Sequence, residues 1–185
     1  MNNIITSKED ILKASKELIK KNGLNAINMR SVADASNIAV GSIYNYFKSK
    51  EELTIAVIGS VWLDIFHPSN ICLESDSFIG IIDLIFKNLE KGNKKYPNFF
   101  TSHSTMILKK NKNKGIDKMN TIIKHIKEGL CKTLINDKNI RNDAFDDKFT
   151  RDEFVETIFS FIITSMVNGN YDSSCIKEII KRTIY

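Results

Sequence analysis

The 185-residue sequence contains only two prolines and eight glycines, so few positions interrupt regular secondary structure. Apolar residues recur at helical spacing along the whole chain, as expected for helices with one buried face. Hydrophobic residues make up 42% of the chain and charged residues 26%, which is ordinary for a soluble globular protein. The sequence therefore predicts an all-α fold of about nine helices.

Cysteine and histidine are also sparse. The three cysteines (Cys72, Cys131 and Cys175) are far apart, and the three histidines are scattered, so neither residue forms a metal-ligand or disulfide pattern. We expect reduced thiols, no metal and no other cofactor, although a redox-sensing role for one thiol stays open. The chain also lacks a paired-carboxylate site, a nucleophile elbow and a phosphate-binding glycine loop, which argues against an enzyme.

Long apolar runs are absent as well. No segment approaches the roughly 18 consecutive apolar residues that a membrane span needs. The N-terminus lacks the apolar core of a signal peptide. We therefore expect a cytoplasmic protein without a membrane partner.

The formal net charge is +5, and its distribution favours an anionic partner. Up to Lys50, eight basic residues outnumber four acidic ones, which suits binding to a DNA duplex. Between Lys87 and Lys132, twelve lysines face only Glu90, Asp117 and Glu128. Such runs are usually solvated helix faces, but this stretch could also contact operator phosphates or attract an anionic effector.

Residues 28–53 have the layout of two short helices joined by a tight turn. A preceding helix opens with Ser7 and Asp10 at capping-box spacing and ends at Gly23, a position that favours positive φ. Asn28 is a good N-cap for the second helix. Asn37 follows it and tolerates the left-handed conformation that the turn requires. This order is typical of a helix-turn-helix.

The segment from Val40 to Phe47 is the predicted recognition helix. Ile43 and Phe47, four residues apart, face its own core. The outward positions carry small, hydroxyl and aromatic side chains: Gly41, Ser42, Tyr44, Asn45 and Tyr46. Such a surface can approach phosphates and base edges closely. The alternative is a three-helix packing unit without a ligand, in which the aromatic residues are core.

A long connecting helix is expected to follow. Ser49 and Glu52 have the spacing of a second capping box, and the helix should run through Leu53 and Phe66 to Pro68. Lys50 lies in its first turn, close to the expected DNA strand. We expect Ile43 and Phe47 to pack against this helix.

The stretch from Ile11 to Leu53 closely resembles the N-terminal domain of the TetR family of bacterial transcription regulators. The resemblance rests on Ala14, Gly23, Val32-Ala33, Gly41-Ser42-Ile43-Tyr44, Tyr46-Phe47 and Ser49-Lys50-Glu51-Glu52-Leu53. It implies a homodimer with two headpieces on a palindromic operator, and a C-terminal helical domain that dimerises and usually binds an effector. The family favours a hydroxyl residue where Ala39 stands, so the recognition helix is expected to lack its N-cap.

The resemblance also implies DNA contacts at particular positions: Asn28, Arg30, Val40, Ser42, Tyr44, Asn45, Tyr46 and Lys50. Arg30 is the expected base reader, since arginine donates two hydrogen bonds to guanine. Tyr44, Tyr46 and Lys50 are expected to hold phosphates and fix the register.

The expected domains are a helix-turn-helix headpiece over 1–48, the connecting helix over 49–67 and a larger helical domain over 68–185. In the last domain, Thr150 and Glu153 form a third capping box before a helix that is apolar on nearly all sides. A helix buried on all sides needs a partner beyond its own core. We therefore predict a dimer interface built as a four-helix bundle from the last two helices, through Phe154, Ile158, Phe161, Ile162, Met166, Ile176 and Ile180.

The same domain is a candidate for binding a small apolar or amphipathic effector. Its wall would combine apolar side chains with a few polar groups: Trp62, Phe66, Phe86, Phe99, Phe100, His103, Met106, Met119, Ile123 and Phe159. Each of these could equally be plain core. The predicted function is a repressor that an effector releases from a palindromic operator; a ligand-independent or partner-controlled regulator, and an activator, are the alternatives.

Overall fold

The computed structural model describes residues 6–66, 77–108 and 114–185, without the side chains of residues 104–108, 114–119 and 122. These residues form nine α-helices, one short 3-10 helix and no strand, which confirms the all-α prediction. The helices are α1 (Lys8–Asn22), α2 (Met29–Ala35), α3 (Val40–Tyr46), α4 (Lys50–Ile65), α5 (Phe78–Lys95), α6 (Phe99–Leu108), α7 (Lys114–Asn136), α8 (Arg151–Val167) and α9 (Ser174–Ile184), with the 3-10 helix at Leu24–Ala26. None of the helices in these ranges has the length and apolar character of a membrane span.

Local signals in the sequence place the helix ends well. Ser7 and Asp10 form the expected capping box at the start of α1, and Thr150 and Glu153 form another at α8. Gly23 ends α1 at φ 75°, the left-handed region that glycine enters without a Cβ penalty. Helix ends that carry their own hydrogen-bonding groups are therefore readable without tertiary information.

Other boundaries differ from the sequence-based expectation, in which α5 ends at Lys91-Gly92-Asn93, a basic loop spans Lys109 to Gly115, and Asp172 caps the last helix. Helix α5 continues past Gly92, which is buried within it, to Lys95. Helix α7 begins at Lys114, inside that loop, and residues 109–113 lie outside the described ranges. The N-cap residue of α9 is Ser173, although Asp172 does accept a hydrogen bond from the Ser174 amide at 2.9 Å. Residues 68–76, where the boundary after the connecting helix is expected, are also outside the described part.

The chain divides into two compact units that do not follow the expected domain limits. Unit 1 contains Met1–Ile65 and Asn93–Ile116, and unit 2 contains Phe66–Gly92 and Asp117–Tyr185. Helix α6 therefore groups with the N-terminal helices, and it packs against the 3-10 helix. The sequence-based prediction places α6 in the C-terminal domain. It differs because the spacing of apolar residues does not indicate which distant helix covers an apolar face.

In unit 1, α1 is the central helix. It packs against α2 and α4, and α2 packs against α3. The core contains Ile11, Ile19, Val32, Ile43 and Phe47, which are fully buried. Helix α3 thus packs against α2, while the expected packing of Ile43 and Phe47 against α4 stays a prediction.

In unit 2, a buried carboxylate joins three chain segments. Asp137, 4% exposed, accepts hydrogen bonds from the Phe78 amide at 2.8 Å and from the Tyr185 hydroxyl. The Arg141 amide donates to the Ile184 carbonyl at 3.0 Å. These bonds fix the C-terminal end of α9 to the start of α5 and to the segment after α7, so unit 2 is closed by polar contacts as well as by its apolar core.

Candidate nucleic-acid interface

The turn between α2 and α3 has the geometry that the sequence predicted. Asn37 adopts φ 55°, one of two positive-φ non-glycine residues in the described part of the chain. The Ile38 amide donates to the Ala33 carbonyl at 3.0 Å, which closes the turn directly onto α2. Asparagine tolerates this left-handed conformation better than most residues. The turn therefore directs the chain sharply from α2 into α3, as a helix-turn-helix requires.

Helix α3 presents a polar surface opposite a buried apolar one. Ile43 and Phe47 are both 0% exposed. Gly41, Tyr44 and Asn45 are exposed, with Tyr44 at 48%, whereas Val40, Ser42 and Tyr46 are half-buried. The outward side of a seven-residue helix is thus free of bulky aliphatic groups, which suits close approach to a duplex.

The front end of α3 lacks a side-chain cap. Ala39 is the N-cap residue, and no side chain accepts a hydrogen bond from the first amides of the helix within the described residues. The Ser42 amide donates to the Ala39 carbonyl at 2.9 Å. The first amides of a helix, here those of Val40 and Gly41, suit an external acceptor such as a phosphate oxygen. The expected loss of the cap is confirmed.

Asn28 and Arg30 have different environments at the start of α2. The Asn28 side-chain oxygen accepts from the Arg30 and Ser31 amides at 3.1 and 3.0 Å, and its Nδ2 donates to the Ala26 carbonyl at 3.3 Å. The Asn28 amide group is therefore occupied as a helix cap. Arg30 is exposed, and its guanidinium group can reach an external acceptor.

The start of α4 adds basic side chains next to α3. Lys50 is exposed in the first turn, as expected. Ser49 Oγ accepts from the Glu52 amide at 3.1 Å, but the Glu52 carboxylate accepts from the Lys48 amide at 2.7 Å, so the predicted capping box is shifted by one residue. Lys48 is exposed, and its Nζ donates to the Tyr44 carbonyl at 3.3 Å. The sequence reading missed Lys48, although its position two residues before Lys50 was a usable signal.

Tyr46 differs from its expected role. Its hydroxyl donates a hydrogen bond to the Thr6 carbonyl, 40 residues earlier in the chain, at 2.5 Å. The hydroxyl is thus engaged inside the protein rather than extended toward a phosphate. No local pattern predicts this contact, because it depends on how α1 and α3 are brought together.

Part of the candidate effector wall forms one aromatic cluster in unit 1. The Trp62 ring lies 6.2 Å from Phe99, 5.4 Å from Phe100 and 5.7 Å from His103, measured between centroids. His103 also stacks on Phe99 at 5.5 Å. These side chains are packed together, and Phe99, Phe100 and His103 are at most 1% exposed.

His103 is the polar member of this cluster. Its Nδ1 is buried and has no hydrogen-bond partner among the described atoms. Burial lowers the pKa of His103 to about 4, so the ring is neutral at neutral pH. A buried ring nitrogen without a partner costs free energy and is a place where a ligand could supply one.

The other effector candidates are not gathered into that cluster. Phe66, Phe86, Ile123 and Phe159 belong to unit 2, and the side chains of Met106 and Met119 are outside the described part. Phe86 is 1% exposed and belongs to the core. Ile123 lines a surface groove of about 550 Å³, whose other lining residues are Asn120, Lys124, Lys127, Glu128, Cys131, Lys132, Asp152, Val155 and Glu156.

The predicted dimer residues are mostly core of a single protomer. Six of them are at most 5% exposed: Phe154, Ile158, Ile162, Met166, Ile176 and Ile180. Only Phe161 is partly exposed. The apolar residues of α8 are therefore buried largely by their own chain. The rest of unit 2 covers faces of α8 for which the sequence alone indicated no partner. An interface on α8 and α9 needs their outward residues instead.

Comparison with known proteins finds similar sequences and similar folds. Residues 11–57 match the model of the bacterial regulatory proteins of the tetR family. Over 49 residues the chain is 43% identical to the HTH-type transcriptional repressor KstR of Mycobacterium tuberculosis, and the match covers 26% of this chain and 22% of that protein. The sequence match therefore spans less than a quarter of that relative.

Two solved structures share the fold over most of the chain. The regulator FadR from Bacillus subtilis, in complex with stearoyl-CoA, superposes with a TM-score of 0.66 and 19% identity, over 88% of this chain and 86% of that one. BioQ, with its double-stranded DNA operator, superposes with a TM-score of 0.60 and 16% identity, over 89% and 86%. The sequence of residues 11–57 thus matches the tetR family model, and the helical fold of the chain is shared with these two regulators.

Proposed function

We propose that this protein is a sequence-specific DNA-binding transcription repressor rather than an enzyme. The observation that carries the proposal is the arrangement of α3, with Ile43 and Phe47 fully buried and Gly41, Tyr44 and Asn45 exposed. In this proposal α3 enters the major groove, and its uncapped amides and Tyr44 meet phosphates. Arg30 reads a base, while Lys48 and Lys50 neutralise phosphates beside the groove.

The proposed DNA-binding form is a homodimer on a palindromic operator. Two headpieces related by a twofold axis match half-sites about 34 Å apart. Most of the apolar residues predicted for the dimer interface are buried within one protomer. We therefore assign the interface to the outward faces of α8 and α9. These faces carry Thr157, Ser160, Phe161 and Thr164 on α8, and Cys175, Ile179 and Arg182 on α9.

We further propose control by a small apolar or amphipathic effector. Support comes from the buried, unpartnered Nδ1 of His103 within the Trp62 cluster. FadR of Bacillus subtilis was solved with stearoyl-CoA, so long-chain acyl-CoA compounds are a rational first class to test. Effector binding to a conformation that does not fit the operator would release the DNA, by the reciprocity of linked equilibria. A ligand-independent regulator would show neither thermal stabilisation nor operator release with any such compound.

The deciding experiment is binding-site selection from a random duplex pool with the purified full-length protein. An inverted repeat should emerge, and affinity for it should fall steeply as the salt concentration rises. The control is a variant with Tyr44→Ala and Lys50→Ala, which should fold and dimerise but lose enrichment. A wild-type protein that enriches no sequence at low ionic strength would contradict the proposed function. Enrichment of a site without twofold symmetry would contradict the dimeric form.

A further inference from the structure

Two contacts join the beginning of α1 to the end of α3. The Tyr46 hydroxyl donates to the Thr6 carbonyl at 2.5 Å. The Lys8 ammonium group lies over the Phe47 ring, 5.2 Å from its centroid. Both contacts are within unit 1, and each pairs a residue at the α1 start with a residue at the last turn or C-cap of α3. We call these two contacts the α1–α3 tether.

The Thr6 carbonyl lies outside the backbone hydrogen bonds of α1. The first backbone bond at this end runs from the Ile11 amide to the Ser7 carbonyl, and the Ser7 side chain caps the helix through the Asp10 amide. The Thr6 carbonyl lies before this pattern, so its hydrogen-bond donor comes from outside α1. The hydroxyl of the half-buried Tyr46 supplies this donor.

Helix α3 needs support from outside itself. It contains seven residues, and a helix of this length is marginal in isolation. Ala39 provides no side-chain cap at its front end. Ile43 and Phe47 anchor it through apolar burial, but apolar contacts alone specify orientation less sharply than a hydrogen bond with fixed geometry.

From this we infer that Tyr46 is a positioning residue for DNA recognition: its hydroxyl holds α3 to the start of α1 and does not bind a phosphate. The inference rests on the proposed DNA-binding function. It separates Tyr46 from Tyr44, which is 48% exposed and remains the tyrosine that can reach the duplex. Two tyrosines of similar sequence position therefore have different roles.

The test compares Tyr46→Phe with the matched control Tyr44→Phe in the full-length protein. Both changes remove one hydroxyl and keep the ring, so the packing of α3 is preserved. The first measurement is hydrogen exchange of the free protein. Tyr46→Phe should accelerate exchange of amides in the first turn of α1 and in α3 by about three- to tenfold, as for loss of one neutral hydrogen bond. Tyr44→Phe should leave these rates unchanged.

The second measurement separates positioning from phosphate contact. Each variant is titrated with selected operator duplexes that carry a single neutral methylphosphonate at successive positions. A hydroxyl that binds a phosphate shows coupling, since the penalty for the hydroxyl and the penalty at one position are not additive. We expect such coupling at one position for Tyr44→Phe and additive penalties at every position for Tyr46→Phe, with an operator affinity about three- to tenfold below wild type.

A third variant, Lys8→Met, removes the other contact of the tether and keeps a side chain of similar length. It should raise exchange of the same amides, by less than Tyr46→Phe does. The inference is overturned if Tyr46→Phe leaves exchange unchanged, or if its penalty couples to one methylphosphonate position. If the wild-type protein binds no DNA, the proposed function fails and the positioning role fails with it, while the exchange data still decide whether the tether holds α1 to α3.

Discussion

The Tyr96 hydroxyl donates a hydrogen bond to the Asp64 carboxylate at 2.8 Å, and this bond links the end of α4 to the residues just before α6. The same carboxylate pairs with Lys95 at 2.5 Å and with Lys16 of α1 at 3.5 Å. Burial raises the pKa of Asp64, but the hydrogen bonds from Lys95 and Tyr96 and the nearby Lys16 charge outweigh it, so the pKa lies below its ordinary value. Asp64 therefore joins three segments of unit 1 as an ionised group.

Removing the Tyr96 hydroxyl tests this junction. Tyr96 is 1% exposed, so Tyr96→Phe should lower the free energy of unfolding by about 1 kcal/mol, the net value of one hydrogen bond to a partly shielded charge. The measurement is urea denaturation at pH 7. The Asp64 pKa is lowered on folding. The difference in free energy of unfolding between the wild type and Tyr96→Phe should therefore persist above the ordinary Asp pKa and shrink as the pH falls below it. Glu17→Gln, which removes the pair with Lys20 on the surface of α1, is the control and should change stability little.

His103 should make unit 1 sensitive to acid. Its pKa falls from 6.5 to about 4 on burial, so the unfolded chain takes up a proton at a pH where the folded protein does not. The free energy of unfolding therefore has its full value above pH 6.5 and decreases by about 1 to 3 kcal/mol as the pH falls toward 4. Thermal unfolding between pH 4 and 7 measures the effect. His103→Phe should flatten this dependence, and an unchanged profile in that variant would assign the acid sensitivity to other groups.

Arg30 and Lys50 should affect DNA binding in different ways. Arg30→Ala should relax preference at one base position, at a cost of about 1 to 3 kcal/mol for the preferred base. Lys50→Ala should weaken all sequences about equally and should reduce the salt dependence by about one counterion. The measurement is a titration of operator variants at several salt concentrations. If Arg30→Ala leaves both the selected motif and the affinity unchanged, Arg30 is not the base reader.

Restoring the missing cap should stabilise the free headpiece. Ala39 is exposed and has extended backbone angles, which suit a capping side chain. Ala39→Ser should raise the free energy of unfolding by about 1 kcal/mol, since the hydroxyl can accept from an amide of the first turn of α3. Ala35→Ser, at an exposed position within α2, is the control and should be neutral or slightly destabilising. Chemical denaturation without DNA measures both, and equal effects would exclude a capping gain.

The oligomer interface can be tested with two exposed isoleucines. Ile179 on α9 is 46% exposed and Ile135 on α7 is 67% exposed. Ile179→Glu should convert a dimer into monomers at micromolar concentration, because a buried unpaired charge is costly at an interface core. Ile135→Glu should leave the dimer intact, although it removes the more exposed side chain. Light scattering after size-exclusion chromatography reads the mass, and dissociation by both substitutions or by neither would contradict the assigned face.

The helix ends of the headpiece were predictable because their causes are local. Ser7 caps α1 through the amide three residues later, Asn28 caps α2, and Asn37 takes the positive φ of the turn. Each of these residues acts on backbone groups within a few positions of itself. Only half of the capping box predicted at Ser49 forms, because the Glu52 carboxylate accepts from the Lys48 amide instead of the Ser49 amide.

The assignment of the last helices was less successful for a physical reason. The apolar character of α8 indicated burial on all sides, but it could not distinguish burial within one protomer from burial between two. Phe154 shows the difference: its ring contacts Phe78, Phe145 and Phe149, with centroids 5.7 to 5.8 Å apart, so the same chain covers it. Phe145 and Phe149 are near Phe154 in sequence, but Phe78 comes from α5, far earlier in the chain.

By itself, the sequence determined the helical fold, the helix-turn-helix and the polar, hydroxyl-bearing side of α3, since these follow from propensity, periodicity and capping within short windows. Only the tertiary structure decided that α6 groups with the headpiece, that Asp64 joins α1, α4 and the residues before α6, and that the Tyr46 hydroxyl binds Thr6. The hydrogen bonds of Asp64 and Tyr46 join residues about 30 to 50 positions apart, and α6 lies still farther from the 3-10 helix it contacts. Such contacts depend on which apolar faces meet when the chain closes its loops, and no local window contains that information.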